Sequence, residues 1–166
     1  MFERLNTPQE AYNFKLGSAL KMEDTVVDIL QASIDSAQDS SVKALFSDHL
    51  DQSPHQRENL EQVFAAFGWE VDDSPCPAIA AIEKEGKANA KKSDDLLVDS
   101  VLLQGAVETE HHEIGVYENL IINARAMGND QAVALLEDNL RQEQDTLEKV
   151  KTAQANVAAV TPKQAA

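Results

Sequence analysis

Cysteine is almost absent from this 166-residue sequence, in which Cys76 is the only one. A single cysteine excludes a disulfide within the chain, and it also excludes a thiolate metal cluster built from one chain. Any metal site that the chain builds alone must therefore use oxygen and nitrogen ligands. Aromatic residues are also few, at 5%, although 43% of the residues are hydrophobic. A chain of this length and composition can bury one sizeable core, so one domain is expected.

Positive charge is scarce as well. The chain has 14 Lys and Arg residues against 29 Asp and Glu residues, which gives a net charge of -15. This charge would repel both the phosphate backbone of nucleic acids and anionic lipid headgroups. We therefore expect neither nucleic acid nor a membrane among the partners.

Long hydrophobic runs are also missing. The sequence contains no stretch of about 18 uninterrupted apolar residues, the length that a transmembrane helix needs. The first six residues, Met1-Phe2-Glu3-Arg4-Leu5-Asn6, lack the basic-then-apolar order of a signal peptide. The expected location is therefore the cytoplasm.

Glycine and proline are few, and they cluster only at Gly68 and in Ser74-Pro75-Cys76-Pro77. The remaining sequence has helical periodicity and no convincing strand. We predict an all-α domain over residues 1–160 and a disordered tail over 161–166. The first predicted helix begins at the capping box Thr7-Pro8-Gln9-Glu10 and ends at about Ala37, and the second runs from about Val42 to Phe67 and is closed by Gly68. A short helix follows from about Ala78 to Lys91. The third long helix is capped by Ser93-Asp94-Asp95 and ends at Met127, and the fourth runs from Gly128-Asn129-Asp130 to about Val157.

Four long helices and one short helix fit an antiparallel four-helix bundle, with the short helix packing across it. Each long helix has a buried stripe when residues are counted at alternating steps of four and three. Three of these stripes contain glutamates among apolar residues. The stripes are Leu16, Leu20, Glu23, Val27, Leu30 and Ile34; Leu45, His49, Gln52, Gln56, Leu60, Val63 and Phe67; Leu103, Ala106, Glu110, Glu113, Tyr117, Leu120 and Ala124; and Leu136, Leu140, Glu143, Leu147 and Val150.

The polar residues of these stripes are expected at one height in the bundle. A short turn reflects one helix onto the next, with the same rise of about 1.5 Å per residue on both. Reflection about Asp39 puts Glu23 level with His55, and reflection about the turn after Gly128 puts Glu143 level with Ile114. One glutamate on a core face usually lies at the edge of a seam. Three helices with glutamates at the same height instead indicate a common site.

Four glutamates in an apolar interior are unfavourable as bare anions, because each loses hydration and repels the others. Protonation or pairing with basic residues is one remedy, but no Lys or Arg falls in the stripes. Bound metal is the other. Ligands that are mainly oxygen, with one imidazole at most, suit iron or manganese, or another divalent metal, better than a metal that prefers thiolates.

The sequence resembles the YciE/YciF family of bacterial ferritin-like proteins from about Thr7 to Val150. The third long helix carries the most specific of the matching segments, which are Met22-Glu23-Asp24, His49-Leu50-Asp51-Gln52-Ser53, Cys76-Pro77-Ala78-Ile79, Glu110-His111-His112-Glu113-Ile114-Gly115-Val116-Tyr117 and Leu140-Arg141-Gln142-Glu143. The resemblance implies a ferritin-like bundle, a dinuclear metal site, a homodimer and a ferroxidase activity associated with stress response.

Carried over by position, Glu23, Glu110, Glu113 and Glu143 match the carboxylates of the family. Gln52 stands where the family usually has a glutamate, which leaves two alternatives open. The site binds one metal ion instead of two, or Asp51 or His55 replaces the missing ligand if Pro54 kinks the helix.

Other polar residues are interpreted more simply. Glu108 and His111 match a Glu-x-x-His ligand motif, but Glu108 lies opposite the buried stripe, and His111 and His112 are expected to be solvated. The ring of Tyr117 is expected to pack in the core, from where its hydroxyl can reach a ligand carboxylate. His49 is expected to bond a neighbouring polar group in the core rather than a metal. The residues expected to support the ligands are Tyr117, Gln56 and His49.

Two functions remain open. In the first, one or two metal ions per chain change oxidation state with oxygen or peroxide. In the second, the protein is a non-catalytic bundle, dimeric and metal-free or mononuclear, in which the site is structural. A many-subunit storage cage is less favoured, because nothing in the sequence encodes its symmetry. Apolar residues near Phe2, Leu5 and Phe14 are candidates for contact with a partner.

Overall fold

The computed structural model describes residues 4–161, and they form five helices. Within these residues there is no strand, which confirms the predicted all-α fold. The predicted disordered tail and Phe2 lie outside the described residues, except for Thr161. The helices are α1 (Pro8–Ser36), α2 (Ser40–Phe67), α3 (Pro77–Lys92), α4 (Val98–Ala126) and α5 (Asp130–Val160).

Local capping accounts for most of the helix ends. The Thr7 hydroxyl accepts a hydrogen bond from the Glu10 backbone N–H, and the Glu10 carboxylate accepts one from the Thr7 N–H, so the predicted capping box is present. Gly68 ends α2 in the left-handed region, with φ of 71°. The Asn129 side chain accepts a hydrogen bond from the Ala132 N–H at the start of α5. These ends follow from the sequence within a few residues.

The start of α4 differs from the prediction. Ser93 ends α3 and donates its hydroxyl to the Asn89 carbonyl, and Asp94 accepts a hydrogen bond from the Leu96 N–H. Asp94 therefore stabilises a turn, and α4 begins only at Val98, without a side-chain cap. The Asp99 carboxylate instead accepts hydrogen bonds from the backbone of residues 38 and 39, which ties the turn between α1 and α2 to α4.

The four long helices pack as two hairpins, α1 with α2 and α4 with α5, and the hairpins meet through α2 with α5 and α1 with α4. The shorter α3 packs against both α1 and α4, so it covers the seam between them. Gly17 of α1 permits this arrangement, because a Cβ atom there would lie 2.7 Å from the Asp72 carbonyl oxygen in the loop before α3. The loop can therefore lie directly against α1.

Buried aliphatic side chains from all five helices form one core, which includes Leu16, Leu60, Ile79, Leu103 and Leu136. Burial of this apolar surface is the main stabilising contribution to the fold. At one end the core is closed by aromatic rings, with Phe67 stacked on Trp69 at 4.6 Å and Tyr12 edge-on to both. None of the helices between residues 4 and 161 combines the length and apolar composition needed to cross a membrane.

Candidate metal centre

Three helices bring four buried side chains together in the middle of the bundle. His49 comes from α2, Glu110 and Glu113 come from α4, and Glu143 comes from α5. Each offers one ligand atom, and these atoms all lie within 4.8 Å of one another. We call these four residues the His–Glu cluster. Imidazole nitrogen and carboxylate oxygen at this spacing can coordinate one metal ion.

The local sequence explains how α4 supplies two ligands. Glu110 and Glu113 are three residues apart, so their side chains lie one helical turn apart on the same face. Leu103 and Leu120 are buried on this face as well and pack into the core. The apolar neighbours thus hold this face inward, and both carboxylates are carried inward with it. Glu110 is 1% exposed and Glu113 is 0% exposed.

Four of the six carboxylate oxygens of the cluster have no hydrogen-bond partner within residues 4–161. Among the described residues, neither Glu113 oxygen has a hydrogen-bond partner, nor do Glu110 Oε2 and Glu143 Oε2. Buried acceptors in a folded protein are nearly always paired, because leaving them unpaired is costly. A cation bound at this point would offset the negative charge of these buried oxygens. The donor set therefore fits a metal ion of the kind bound by oxygen and nitrogen ligands.

His49 lies between two of the carboxylates. Its Nδ1 atom is 3.3 Å from Glu110 Oε1, and its Nε2 atom is 3.4 Å from Glu143 Oε2. Burial would lower the pKa of His49, but the two carboxylates outweigh burial and raise the pKa to about 10. Without metal, His49 is thus an imidazolium that partly neutralises the cluster. His49 thus contacts polar neighbours, as predicted, and its ring also belongs to the group of candidate ligands.

Burial also changes the protonation of the glutamates. It raises the pKa of Glu113 well above its usual value, and the charges of Glu143, Glu23 and Glu110 add to this effect. Burial raises the pKa of Glu110 to about 7, although His49 acts in the opposite direction. The metal-free cluster therefore holds protons near neutral pH, and a metal ion must displace them on binding.

Glu23 of α1 lies beside the cluster and has different partners. Its Oε1 atom accepts a hydrogen bond from the Tyr117 hydroxyl, while its Oε2 atom has no partner among the described residues. Burial, followed by the charge of Glu143, raises the pKa of Glu23 to about 8. Glu23 is not in the group of four with mutually close ligand atoms, but it provides a further buried carboxylate next to that group.

A chain of buried amides supports Glu23 and Glu143. Asn139 donates to the Tyr117 hydroxyl oxygen at 3.0 Å and to the Gln56 carbonyl at 2.9 Å. Asn59 donates to Asn139 Oδ1 at 2.7 Å, and the Gln56 side chain donates to Glu143 Oε1. We call Gln56, Asn59, Tyr117 and Asn139 the polar network. It holds Glu23 and Glu143 in position through the Tyr117 hydroxyl and the Gln56 side-chain amide.

The structure does not bring the two candidate substitutes for the missing glutamate to the cluster. The helix α2 continues through Pro54, which leaves Asp51 exposed. His55 is also exposed, and its Nε2 atom lies 3.0 Å from Asp138 Oδ2 at the surface. Gln52 is half-buried, and its side chain makes no hydrogen bond within residues 4–161. The alternative in which Asp51 or His55 replaces the missing ligand therefore has no basis in this geometry.

Two residues of the polar network were not identified from sequence. Asn59 and Asn139 were missed, although Asn139 lies four residues before Glu143 and so on the same helix face. Glu108 and His111 are exposed, and His112 is half-buried with Nε2 3.9 Å from Cys76 Sγ. The expectation of a solvated His112 is therefore only partly met.

Known proteins share this sequence pattern and fold. The sequence profile of the family described as a domain of unknown function, DUF892, matches residues 7–162. YcfI of Rhodopseudomonas palustris is 28% identical, with a TM-score of 0.87, and the match covers 92% of this chain and 98% of that one. No curated protein matches the sequence.

Two further solved structures share the fold at lower identity. The E. coli stress protein YciF is 21% identical, with a TM-score of 0.88, over 94% of this chain and 99% of that one. A ferritin-like, diiron-carboxylate protein of Bacillus anthracis str. Ames is 15% identical, with a TM-score of 0.70, over 90% of this chain and 99% of that one. The fold is therefore ferritin-like, and the resemblance to the YciE/YciF family is confirmed. The match over residues 7–162 shows that the chain belongs to the DUF892 family.

Proposed function

We propose that this protein binds iron or manganese at the His–Glu cluster and that the bound metal reacts with oxygen or peroxide. The observation that carries the proposal is the set of buried carboxylate oxygens without donors, above all both oxygens of Glu113. No Lys or Arg reaches any of these oxygens within residues 4–161. Their number and burial favour a divalent cation over the imidazolium of His49 alone.

The ligands would be His49, Glu110, Glu113 and Glu143. When bound, iron or manganese supplies one-electron redox chemistry toward oxygen or peroxide. One ion suits the four ligand atoms, which lie within 4.8 Å of one another. Glu23 has one oxygen without a partner and offers a further carboxylate for a second ion. We therefore propose one or two ions per chain, with Glu23 needed for the second.

The protein's own groups position the ligands and manage their protons. Gln56 fixes the orientation of Glu143 through its side-chain amide, and Tyr117 fixes that of Glu23 through its hydroxyl. Glu110 and Glu113 must release their protons for coordination, and so must His49. Burial of the cluster by the long helices keeps bulk water away from these groups, which strengthens their electrostatic interactions.

A second candidate function has one specific observation in its favour. His49 lies 3.3 Å and 3.4 Å from two carboxylates, so the core already holds an internal counter-ion. In this alternative the cluster is a structural ion network in a non-catalytic bundle, and metal is absent or only stabilises the fold.

Aerobic oxidation of Fe(II) separates the two. If the proposal is right, metal-free protein oxidises added Fe(II) faster than buffer does, and both Glu113→Gln and Glu143→Gln remove the difference, because each removes a ligand charge. Absorbance of Fe(III) at early times measures the rate, and elemental analysis gives the stoichiometry. Glu108→Gln is the matched control, since Glu108 is an exposed residue of the same helix α4. Oxidation at the buffer rate, with metal verified as bound, would instead support the structural function.

We extend the proposal to a homodimer with a role in stress response. The resemblance to the YciE/YciF family and the shared fold of the E. coli stress protein YciF support it. Leu5 and Phe14 are exposed apolar residues of the described chain that could meet a partner. Sedimentation velocity at micromolar concentration would decide the oligomeric state, and a monomer would end this part of the proposal.

A further inference from the structure

An apolar cavity lies under α3, next to the His–Glu cluster. It has a volume of about 260 Å³ and is lined by residues of α1, α2, α3 and α4. Its inner end reaches His49 and Glu110, which are two of the proposed ligands. The cavity and the metal centre thus share a wall. The apolar lining includes Val26, Leu30, Phe46, Ile82, Val101 and Leu102.

Two glycines on facing helices help to leave this space open. Gly86 of α3 and Gly105 of α4 both line the cavity, and a Cβ atom added at either one would meet nothing within 4 Å. Glycine in the interior of a helix is disfavoured relative to alanine. Larger side chains at these positions would point into open space without clashing at Cβ. The cavity is therefore not already filled to the packing density of a protein core.

The polar side chains along the walls are mostly occupied. The Thr109 hydroxyl donates to the Gly105 carbonyl at 3.0 Å, and the Ser36 hydroxyl donates to the Ala32 carbonyl at 2.8 Å. At the rim, Lys87 forms an ion pair with Glu83. Ser33 and Lys91 also line the cavity, but most of the lining is apolar. A ligand inside would therefore find mainly apolar walls, with the groups of the metal centre where His49 and Glu110 line it. This lining favours an uncharged apolar molecule over a charged one.

We propose that the cavity binds a small uncharged apolar organic molecule, with one end beside His49 and Glu110. The proposal rests on the proposed function, because it names the substrate class of the same metal centre. Size limits the ligand: an apolar cavity of about 150 Å³ takes benzene, so roughly ten heavy atoms fit here. A helix of a second copy of the chain has a diameter of about 10 Å and is therefore too large to enter the cavity.

Binding to the metal-free full-length protein tests the cavity without any metal chemistry. We would titrate toluene and 1-octanol and follow binding by isothermal calorimetry. We expect saturable binding of one molecule per chain. Gly105→Leu should weaken it by about tenfold or more, because the leucine side chain fills space that the ligand needs.

Matched variants identify the place of binding. Gly115→Leu is the control, since Gly115 is exposed on the same helix α4 and also has nothing within 4 Å of an added Cβ. It should bind both probes like the original protein. Gly86→Leu places the same side chain on the opposite wall and should weaken binding too. This variant tests the cavity even if Gly105→Leu does not fold. Circular dichroism verifies folding of each variant.

Cobalt(II) then tests the position of the ligand relative to the metal. With cobalt bound, toluene should change the visible absorption spectrum of the ion, and the change should be lost in Gly105→Leu. No binding of either probe, or equal binding in both cavity variants, would overturn the inference even if Fe(II) oxidation is observed. Saturable binding that both cavity variants weaken, with Fe(II) oxidised only at the buffer rate, would retain the cavity as a ligand site and remove the proposed function.

Discussion

The two sides of the His–Glu cluster differ in how their polar groups are satisfied. On one side the polar network connects Glu23 and Glu143 to Tyr117, Gln56 and Asn139 by direct hydrogen bonds. On the other side His49 and Glu110 face an apolar cavity of about 260 Å³. The first arrangement fixes carboxylates in position, and the second leaves room for a molecule. The bundle thus places the polar network, which supports the ligands, and a cavity, which could admit a molecule, next to the same cluster.

The largest expected effect is that of metal itself, which should act through the cluster and not through the polar network. A ligand present at about 1,000 times its dissociation constant stabilises the folded state by about 4 kcal/mol. For a chain of this size, that corresponds to a rise in melting temperature of about 10 °C. Calorimetric melting of metal-free and manganese-loaded protein measures the difference.

Glu113→Gln should abolish this rise, because both oxygens of Glu113 lack other partners. Glu108→Gln should keep it, since that residue is exposed. If the loaded and metal-free forms of the original protein melt at the same temperature, the prediction that metal stabilises the fold through the His–Glu cluster is wrong.

The next effect is the pH dependence of the metal-free protein. Burial raises the pKa of Glu23 to about 8 and that of Glu110 to about 7, so the folded state binds more protons than the unfolded state above about pH 4.5. Their stabilising contribution is present at low pH and is lost as pH rises toward 8. Because the pKa of His49 is raised to about 10, the contribution of His49 to the stability of the folded state is also lost as pH rises, between about pH 6.5 and 10.

Melting temperatures of metal-free protein should therefore fall between pH 5 and pH 8. Metal should oppose this trend, because deprotonated ligands bind it more tightly as pH rises. Glu113→Gln should make the metal-free decline shallower, since an amide does not ionise. A metal-free melting temperature that rises over this interval would contradict the assigned protonation.

The smallest effect concerns the polar network. Tyr117→Phe removes the hydroxyl that donates to Glu23 and accepts from Asn139, and leaves both groups buried. Such a loss costs about 1–3 kcal/mol in the free energy of unfolding. Urea unfolding of the metal-free protein measures this loss.

Tyr12→Phe is the matched control for this variant. The Tyr12 hydroxyl is also buried but has no partner among the described residues, so its removal should cost nothing. Equal losses in the two variants would show that the hydrogen bonds of Tyr117 do not matter to stability.

Much of the fold was predictable because its signals are local. The capping box at Thr7 and the left-handed Gly68 mark helix ends by hydrogen bonds and backbone angles within a few residues. The predicted start of α4 was wrong because an aspartate can stabilise a turn as well as cap a helix. Asp94 stabilises a turn, and α4 begins at Val98 instead. The sequence alone does not choose between these uses.

The candidate site was predictable in part for the same reason. The spacing of Glu110 and Glu113 puts both on one helix face, and the apolar residues beside them turn that face inward. Asn139 has a comparable position relative to Glu143, but its value depends on Tyr117 and Gln56, which belong to other helices. A partner on another helix leaves no trace in local periodicity, so Asn59 and Asn139 were overlooked, whereas Tyr117 and Gln56 were predicted to support the ligands.

Helix positions, the inward faces and the presence of buried glutamates follow from the order of residues along the chain, because backbone hydrogen bonding and hydrophobic periodicity act over one or two turns. The place of His49 between Glu110 and Glu143 and the cavity under α3 depend instead on how helices far apart in sequence pack. Side chains meet across a bundle at distances set by that packing, and a fraction of a helical turn would separate them.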